Sequence, residues 1–373
     1  MSTQVLTSVI TATPLRISFF GGGTDFPDYF NRRGGMVVAT ALPQYSYVAL
    51  NSLERLMEKR FRISYSNLEI VDTIAEIRHD IVRTILSDYR TLIGDCFVDI
   101  HSYADLPSGT GVGSSSAFTI GMLNALSALN GVYLPPKELA RRAIRIERER
   151  LAEAGGWQDQ ITASFGGFNV VEFRDNDFEV EPLIVSADKR AAFSGSCWLY
   201  FTAVARSSAA VQRQSFSPAN IRDKEQVLDA TRELAMEAVR IFRTTMDPVA
   251  MVRLWGGLLD QAWALKRSMS PLVSLPEIDR LYERAMQAGA YGGKLIGAGG
   301  GGFLLIMAPP ERQAAIDEAV GYLHRLPVNL EPNGSRVVYV HERNTAQGVS
   351  SAAAERIGHA GALGRQRHPA LTS

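Results

Sequence analysis

Cysteine is scarce in this chain, whose 373 residues include only two, Cys96 and Cys197. They lie far apart, and no Cys/His spacing of the kind that binds zinc is present. This scarcity favours a reducing, cytoplasmic location. Charge of one sign is not in excess either, because 39 Lys and Arg residues balance 39 Asp and Glu residues. The balance argues against a nucleic-acid-binding surface.

Long hydrophobic runs are also missing. No apolar stretch reaches the roughly 18 residues of a membrane-spanning helix, and the first residues lack the basic start and apolar core of a signal peptide. We therefore expect no membrane partner. Hydrophobic residues make up 46% of the chain and charged residues 21%, which is ordinary for a soluble globular protein.

The chain is too long for one typical core, so two domains are expected. A change of texture near residue 190 divides it into regions 1–190 and 191–345. The last segment, 346–373, has no convincing core, and we expect a mobile tail. Strands and helices follow one another without regular βα alternation, which predicts an α+β fold rather than a doubly wound sheet.

Local patterns predict several individual elements. The run 96–103 reads as a strand, and a helix that opens at Pro135-Pro136 should reach Glu149 or Arg150. Apolar residues recur at helical spacing in three further segments, which are 74–92, 224–243 and 248–269.

The most informative segment follows the predicted strand and leads into an apolar helical pattern that runs to about Leu129. Its residues are Pro107, Ser108, Gly109, Thr110, Gly111, Val112, Gly113, Ser114, Ser115 and Ser116. Glycine permits a tight turn and close approach of the backbone to a ligand. The first amides of a helix, together with the helix dipole, favour an anion. The segment therefore predicts a cradle for a nucleotide phosphate.

Other interpretations of this loop have to be weighed. No lysine follows its last glycine, so it is not a Walker A motif, and its G-x-G-x-G spacing is not the dinucleotide G-x-G-x-x-G. The VAIK, HRD and DFG motifs of eukaryotic-type protein kinases are absent. The run from Gly113 to Ala117 comes near the G-x-S-x-G elbow of serine hydrolases, although no persuasive His/Asp partner accompanies it. A purely structural glycine turn capped by serine is the third interpretation.

Three further clusters favour the phosphate cradle. They are Pro14–Phe26, which contains Gly-Gly-Gly-Thr-Asp; Gly155–Gln160 with the following Gly166–Asn169; and Gly297–Phe303. Together with the loop, and in this order, they resemble the conserved blocks of the GHMP kinase family, which includes galactokinase, homoserine kinase and mevalonate kinase. The resemblance implies an N-terminal domain like ribosomal protein S5 and a C-terminal ferredoxin-like domain. The active site is then expected in the cleft between them, with ATP and Mg²⁺ as cofactors.

The subtype can be narrowed by the same motifs. Gly-Gly-Gly-Thr-Asp stands where galactokinases have Gly-Glu-His-Thr-Asp, and Gly-Gly-x-Gln-Asp-Gln follows at 155–160. Both resemble the D-glycero-D-manno-heptose 7-phosphate kinases, which phosphorylate the anomeric hydroxyl to give the 1,7-bisphosphate. Related sugars, octose 8-phosphate or L-fucose, stay open as alternatives. A catalytically silent sugar and ATP sensor is a further alternative.

The resemblance assigns chemistry to individual residues. Asp159 matches the catalytic aspartate, which accepts or orients the proton of the sugar hydroxyl. Arg16 matches the arginine that faces it, where a guanidinium keeps the carboxylate ionised. Ser115 and Glu147 match the two Mg²⁺ ligands, and Glu149 competes with Glu147 for that role.

The acceptor side is assigned in the same way. The residues expected to bind the sugar are Gly22, Gly23, Thr24, Asp25, Gly299 and Gly300. A sugar that already carries a phosphate also needs cations, and the candidates by charge alone are Arg32, Arg33, Arg206, Lys266, Arg267 and Lys294. We expect a small-molecule sugar phosphate as partner and no nucleic acid, with a homodimer left open.

Overall fold

The computed structural model describes residues 3–53, 58–203 and 208–345. The predicted tail, 346–373, lies outside these residues, as does Arg206. The strands of the described part are β1 Thr3–Phe20, β2 Gly35–Leu53, β3 Phe61–Ser64, β4 Leu68–Val71, β5 Phe97–Ala104, β6 Phe168–Arg174, β7 Asp177–Pro182, β8 Cys197–Phe201, β9 Gly292–Leu295, β10 Phe303–Met307, β11 Arg325–Pro327 and β12 Arg336–Thr345.

Two sheets organise these strands. The larger sheet has the order β12-β1-β2-β5-β3-β4, and β6 extends from β2 and pairs with β7. Its strands pair antiparallel except β3 with β5. The smaller sheet has the order β11-β8-β10-β9 and is antiparallel throughout. This mixture of antiparallel sheets and helices confirms the predicted α+β class.

The last strand belongs to the larger sheet. Residues 336–345 fall in the region 191–345 by sequence, yet β12 pairs with β1, with Val9 opposite Val340. β1 is long enough to pair with β2 along one edge and with β12 along the other. The chain thus returns to its first sheet before the described part ends.

The helices lie between these strands, singly or in consecutive groups. Those of the first region are α1 Pro27–Arg33, α2 Asp80–Asp88, α3 Arg90–Ile93, α4 Ser114–Leu129, α5 Pro136–Ile144 and α6 Gln158–Phe165. Those of the second region are α7 Ala187–Ser196, α8 Ser208–Ser215, α9 Pro218–Asp223, α10 Glu225–Arg243, α11 Pro248–Met269, α12 Pro276–Gln287 and α13 Gln313–Ala319. No helix of the described residues is long and apolar enough to cross a membrane.

Two predicted helices differ in detail from those observed. The segment 74–92, predicted as one helix, is divided into a 3₁₀ turn at Ile74–Glu76 and the helices α2 and α3. The helix predicted from Pro135-Pro136 to Glu149 or Arg150 does run that far, but its last part, Arg145–Arg150, is a π-helix. Such wide turns are frequent at functional sites, and this one contains Glu147.

One continuous core joins the two sheets at their base. Trp255 of α11 is fully buried and packs edge-on against Phe19 and Phe20 of β1, with ring centroids 5.7 and 5.1 Å apart. Phe193 of α7 adds a further ring 5.2 Å from Phe19. Edge-to-face aromatic contacts of this kind add to the free energy gained by burial. The second region is therefore anchored on β1, and the cleft between the regions opens above this anchor.

Candidate active site

The glycine–serine loop connects β5 to the first turn of α4. Gly109, Gly111 and Gly113 all have positive φ, at 78°, 84° and 76°, and Gly113 is the left-handed N-cap of α4. The amide of Ala117 donates to Gly113 O over 2.9 Å, which is the first bond of the helix. The amides of residues 114–116 thus precede the hydrogen-bonded turns and are available to an anion. The backbone has the form predicted for a phosphate cradle, and its ligand stays a prediction.

Arg16 connects this loop to the predicted catalytic aspartate. It lies on β1 and is 5% exposed. Its Nε donates to Asp159 Oδ1 over 2.7 Å, and its Nη2 lies 2.6 Å from the same oxygen. Its Nη1 donates to Gly111 O over 2.6 Å. One guanidinium therefore holds the carboxylate of α6 and the backbone of the glycine–serine loop at a fixed separation.

Glu147 is buried beside the first turn of α4. It is 1% exposed, and its Oε2 accepts from Ser116 Oγ over 2.9 Å and from Gln160 Nε2. Its other oxygen, Oε1, is buried without a hydrogen-bond partner. Burial raises the pKa of Glu147, and Arg148, with Nη2 3.6 Å away, opposes that shift. An unpaired buried carboxylate oxygen fits a cation ligand.

Of the two predicted metal ligands, Glu147 is buried beside α4, but Ser115 is not the serine that it contacts. The neighbour of Glu147 is the buried Ser116, whereas Ser115 is exposed, one residue earlier on the helix. Glu149, the competitor of Glu147, is exposed and on the outer side of the π-helix. No group of three or more His, Cys, Asp or Glu side chains that could hold a metal occurs in the described residues. A divalent ion here would take most of its ligands from phosphates and water, as Mg²⁺ commonly does.

Asp25, predicted to bind the sugar, is buried beside the start of α6. It is fully buried, with Oδ1 accepting from the Gly23 amide over 2.9 Å and Oδ2 from the Gln158 amide over 3.1 Å. Gly156 packs so closely against it that a Cβ there would lie 1.9 Å from Oδ2. Both oxygens accept from backbone amides, so Asp25 positions the start of α6, and its contact with the sugar stays a prediction.

The other residues of the Gly-Gly-Gly-Thr-Asp turn have different surroundings. Thr24 is buried and its Oγ1 donates to Gly21 O and Met36 O, so it closes the turn. Gly22 and Gly23 line the cleft, and their contact with the substrate stays a prediction.

The second glycine loop packs on the first one. A Cβ on Gly297 would lie 2.4 Å from Gly111 Cα, so the two backbones touch and neither position accepts a side chain. Gly299 and Gly300, predicted to bind the substrate, both contact Val273. Gly300 donates its amide to Val273 O over 2.9 Å, and a Cβ on Gly299 would lie 2.6 Å from that same oxygen. The lining residues of this loop are instead Gly297 and Ala298.

A cleft runs from Arg16 and Asp159 along β1 to the Gly-Gly-Gly turn. Its lining comprises Arg16, Ser18, Gly21, Gly22, Gly23, Phe26, Arg148, Gly156, Gln158, Asp159, Gln212, Phe216, Leu228, Thr231, Ala262, Lys266, Met269, Lys294, Gly297 and Ala298. Its apolar end includes Phe26 and Phe216, whose rings stack at 4.8 Å. The sequence motifs did not indicate Phe216 or Gln212, because the helices α8 and α9 carry no pattern beyond ordinary helix signals.

The candidate cations separate into two groups. Arg32 and Arg33 form exposed ion pairs with Glu225 and Asp229 outside the cleft. Arg267 likewise pairs with Asp279 at the surface. Lys266 and Lys294, by contrast, line the cleft.

The position of Lys266 in the helical pattern distinguishes it from the other candidate cations. It falls on the apolar face of α11, four residues after Ala262 and three before Met269, where a lysine is unusual unless it has a polar role.

Comparisons with known proteins agree with this architecture. Residues 59–167 match the model of the GHMP kinases N terminal domain, and residues 251–323 match that of the GHMP kinases C terminal. A D-glycero-alpha-D-manno-heptose 7-phosphate kinase of Campylobacter jejuni is 30% identical over 327 residues, which cover 84% of this chain and 93% of that protein. The chain belongs to the GHMP kinase family. It is a phosphotransferase of that family, and specifically a sugar kinase that uses ATP.

More distant relatives and solved structures are consistent with this assignment. A bifunctional fucokinase/GDP-fucose pyrophosphorylase of Arabidopsis thaliana is 26% identical over 332 residues, which cover 81% of this chain and 30% of that longer protein. The crystal structure of a D-glycero-D-manno-heptose 1-phosphate kinase from Bacteroides thetaiotaomicron superimposes with a TM-score of 0.69 at 23% identity, covering 91% of this chain and 100% of that one. Lactococcus lactis galactokinase gives 0.66 at 18% identity, with 88% and 95% covered. These structures confirm the two-domain GHMP kinase fold.

Proposed function

We propose that this sugar kinase transfers the γ-phosphoryl group of ATP to the anomeric hydroxyl of D-glycero-D-manno-heptose 7-phosphate, giving the 1,7-bisphosphate. The observation that supports it most directly is the Arg16–Asp159 pair, which stands between the glycine–serine loop and the cleft that contains the Gly-Gly-Gly turn. The identity with the Campylobacter jejuni heptose 7-phosphate kinase favours this sugar over others.

The donor phosphates are assigned to the amides from Gly109 to Ser116. A helix N-terminus with free amides binds phosphate through hydrogen bonds and its dipole. The γ-phosphoryl group would then face Arg16, which contacts the loop at Gly111. A guanidinium in that position stabilises the charge of the group in transit.

Asp159 is assigned the role of accepting the proton of the sugar hydroxyl that reacts. The anomeric oxygen attacks the γ-phosphorus, the bond to the bridging oxygen of ADP breaks, and the hydroxyl proton passes to the carboxylate. Arg16 holds Oδ1, which leaves Oδ2 to receive the hydroxyl. Asp25 fixes the amide of Gln158 and therefore the position of the neighbouring Asp159.

Mg²⁺ fits the residues beside the loop. Glu147 offers the unpaired Oε1 and Ser115 an exposed hydroxyl on the first turn of α4, as the family resemblance implies. When bound, Mg²⁺ would neutralise negative charge on the β- and γ-phosphates of ATP. Ser116 is already bonded to Glu147 and holds that carboxylate in place.

An ADP-release assay over four acceptors tests the proposal. Heptose 7-phosphate, its unphosphorylated form, octose 8-phosphate and L-fucose are compared by kcat/KM, and ³¹P NMR identifies the hydroxyl that is phosphorylated. We expect the highest kcat/KM with heptose 7-phosphate and an anomeric phosphate in the product. A preference for L-fucose would contradict the proposal and favour the activity in the names of the fucokinase relatives. The cytoplasmic location and a homodimer stay predictions.

A further inference from the structure

Two lysines from different elements reach the wall of the cleft. Lys266 lies on α11, near its end, and Lys294 lies on β9 and is 6% exposed. Lys266 Nζ donates to Leu295 O over 2.8 Å and to Gly297 O over 2.6 Å. Lys294 Nζ donates to Phe19 O over 2.7 Å. Backbone carbonyls thus hold both ammonium groups, and both lysines line the cleft together with Arg16.

Neither lysine has a carboxylate partner within the described residues. All three of their hydrogen bonds go to backbone carbonyls, and Arg16, the nearest further cation, is already neutralised by Asp159. A buried ammonium group without a counter-charge is costly. Burial lowers the pKa of both amines, that of Lys294 to about 7. A bound anion would supply the counter-charge that these ammonium groups lack among the described residues.

The anion belongs to the acceptor side of the cleft. The residues that line the cleft include the Gly-Gly-Gly turn, Phe26 and Phe216, but none of residues 107–116. Three N–H donors remain on the two ammonium groups, since Lys266 uses two and Lys294 one. Ser18, 7% exposed between Arg16 and the turn on β1, adds a hydroxyl that has no partner. These donors suit the several oxygens of one phosphate group.

We propose that Lys266 and Lys294 bind the phosphate that the sugar substrate already carries. The inference rests on the proposed function, which it deepens by assigning the residues that distinguish a sugar phosphate from a plain sugar. Phe26, Phe216 and Met269 form the apolar wall of the same cleft, and the exclusion of water there strengthens the ion pairs. Arg16 and Asp159 are left for the hydroxyl that reacts.

The test compares phosphorylated and unphosphorylated acceptors in three variants of the whole chain. K266M and K294M remove one ammonium group each. R267M removes the adjacent, exposed charge of the same helix and serves as the matched control. For each we measure kcat, the KM for ATP, and kcat/KM for heptose 7-phosphate and for the unphosphorylated heptose.

We expect the KM for heptose 7-phosphate to rise about 10–100-fold in K266M and in K294M, the effect of losing a charge-assisted hydrogen bond. The KM for ATP, and kcat/KM for the unphosphorylated heptose, should stay within about twofold of wild type, and R267M should match wild type throughout. Equal losses with both acceptors, or a rise confined to the KM for ATP, would overturn the inference, because the lysines would then act on the transferring phosphate.

A binding measurement covers a variant that folds poorly or lacks turnover. With ADP saturating the glycine–serine loop, inorganic phosphate should compete with heptose 7-phosphate in the wild type and should raise the Tm of the protein. Both effects should be lost in K266M, whose lysine is the less buried of the two. Failure of the proposed function looks different. If octose 8-phosphate is the preferred acceptor and still depends on both lysines, the sugar is wrong and the phosphate site stands. A wild-type preference for L-fucose overturns both.

Discussion

Arg16 and Asp159 lie 143 positions apart in the chain and form a 2.6 Å ion pair at the entrance to the glycine–serine loop. The arginine comes from β1 and the aspartate from the first turn of α6. Both side chains are largely buried, at 6% and 20% exposure, so water screens the pair little. The pair therefore defines the point at which the cleft meets the loop.

Replacing Asp159 with Asn should remove turnover while ATP still binds. The amide cannot accept the hydroxyl proton, and general base catalysis of this kind contributes about 10²–10⁴-fold to the rate. Steady-state kinetics should show that loss in kcat, and ATP titration should give a Kd close to wild type. Asp177→Asn is the control, because Asp177 pairs at the surface with Arg141 and Lys137. Near-wild-type kcat in the Asp159 variant would exclude its role with the hydroxyl.

Arg16 should be coupled to Asp159 in a double-mutant cycle. R16M removes the ion pair and the bond to Gly111 O, and R16K keeps the charge but cannot hold both groups at once, since lysine has no planar fork. We expect R16K to lose most of the kcat that R16M loses. The double variant R16M/D159N should be far less impaired than the product of the two single losses. Independent, multiplicative effects in kcat would show that the contact has no catalytic role.

Glu147→Gln should raise the Mg²⁺ requirement. The variant keeps an acceptor for Ser116 but loses the charge that an ion needs, so the half-saturating Mg²⁺ concentration should rise at least about 10-fold. Glu149→Gln is the matched control, because Glu149 is exposed on the same π-helix and should titrate like wild type. If the Glu149 variant shifts and the Glu147 variant does not, the metal ligand has been assigned to the wrong glutamate.

Sequence motifs identified those site residues whose chemistry is local to a motif. Arg16 precedes the first glycine cluster, Asp159 follows the second, and Glu147 lies on a predicted helix. In the structure Arg16 pairs with Asp159 in the cleft, and Glu147 bonds to Ser116 at the start of α4. The contacts of Asp25 with the Gln158 amide and of Gly299 with Val273 O could not be read from the motifs, because these partners come from segments distant in sequence. The sugar contacts of both residues stay predictions. A motif shows which residues are present at a turn, but the side that faces the ligand depends on tertiary packing.

The lysines illustrate the same limit. By sequence, Lys294 could equally be a surface lysine or a phosphate ligand. In the structure it is buried under β1 because its strand pairs with the interior strand β10. Only the sheet order of the second region, β11-β8-β10-β9, places it there.

In the metal-free protein, Glu147 should make the free energy of unfolding depend on pH. Burial raises the folded-state pKa of this carboxyl above its ordinary 4.5, against the opposing charge of Arg148. A carboxyl whose pKa is higher in the folded than in the unfolded state stabilises the fold at pH values below the unfolded-state pKa. That contribution to the free energy of unfolding is lost as the pH rises through the folded-state pKa. Without Mg²⁺, E147Q should therefore be more stable than wild type near neutral pH, and the difference should vanish as the pH falls towards 4.5.

Urea denaturation at a series of pH values measures this difference. Each unit by which the folded pKa exceeds the unfolded one adds about 1.4 kcal/mol to the gap at neutral pH. Glu149→Gln again serves as the control and should give no such trend, because its carboxyl is exposed. A gap that is constant with pH would show that the ionised Glu147 is not the source of the cost.

Contact between the two glycine loops should be needed for a stable cleft. Gly297→Ala places a Cβ 2.4 Å from Gly111 Cα, and Gly109→Ala places one where no atom lies within 4 Å. Both positions have positive φ, 70° and 78°, so both variants carry the same backbone strain of about 1–2 kcal/mol. The clash should cost Gly297→Ala about 1–3 kcal/mol more in the free energy of unfolding. Equal losses in urea denaturation would mean that the two loops can separate without cost.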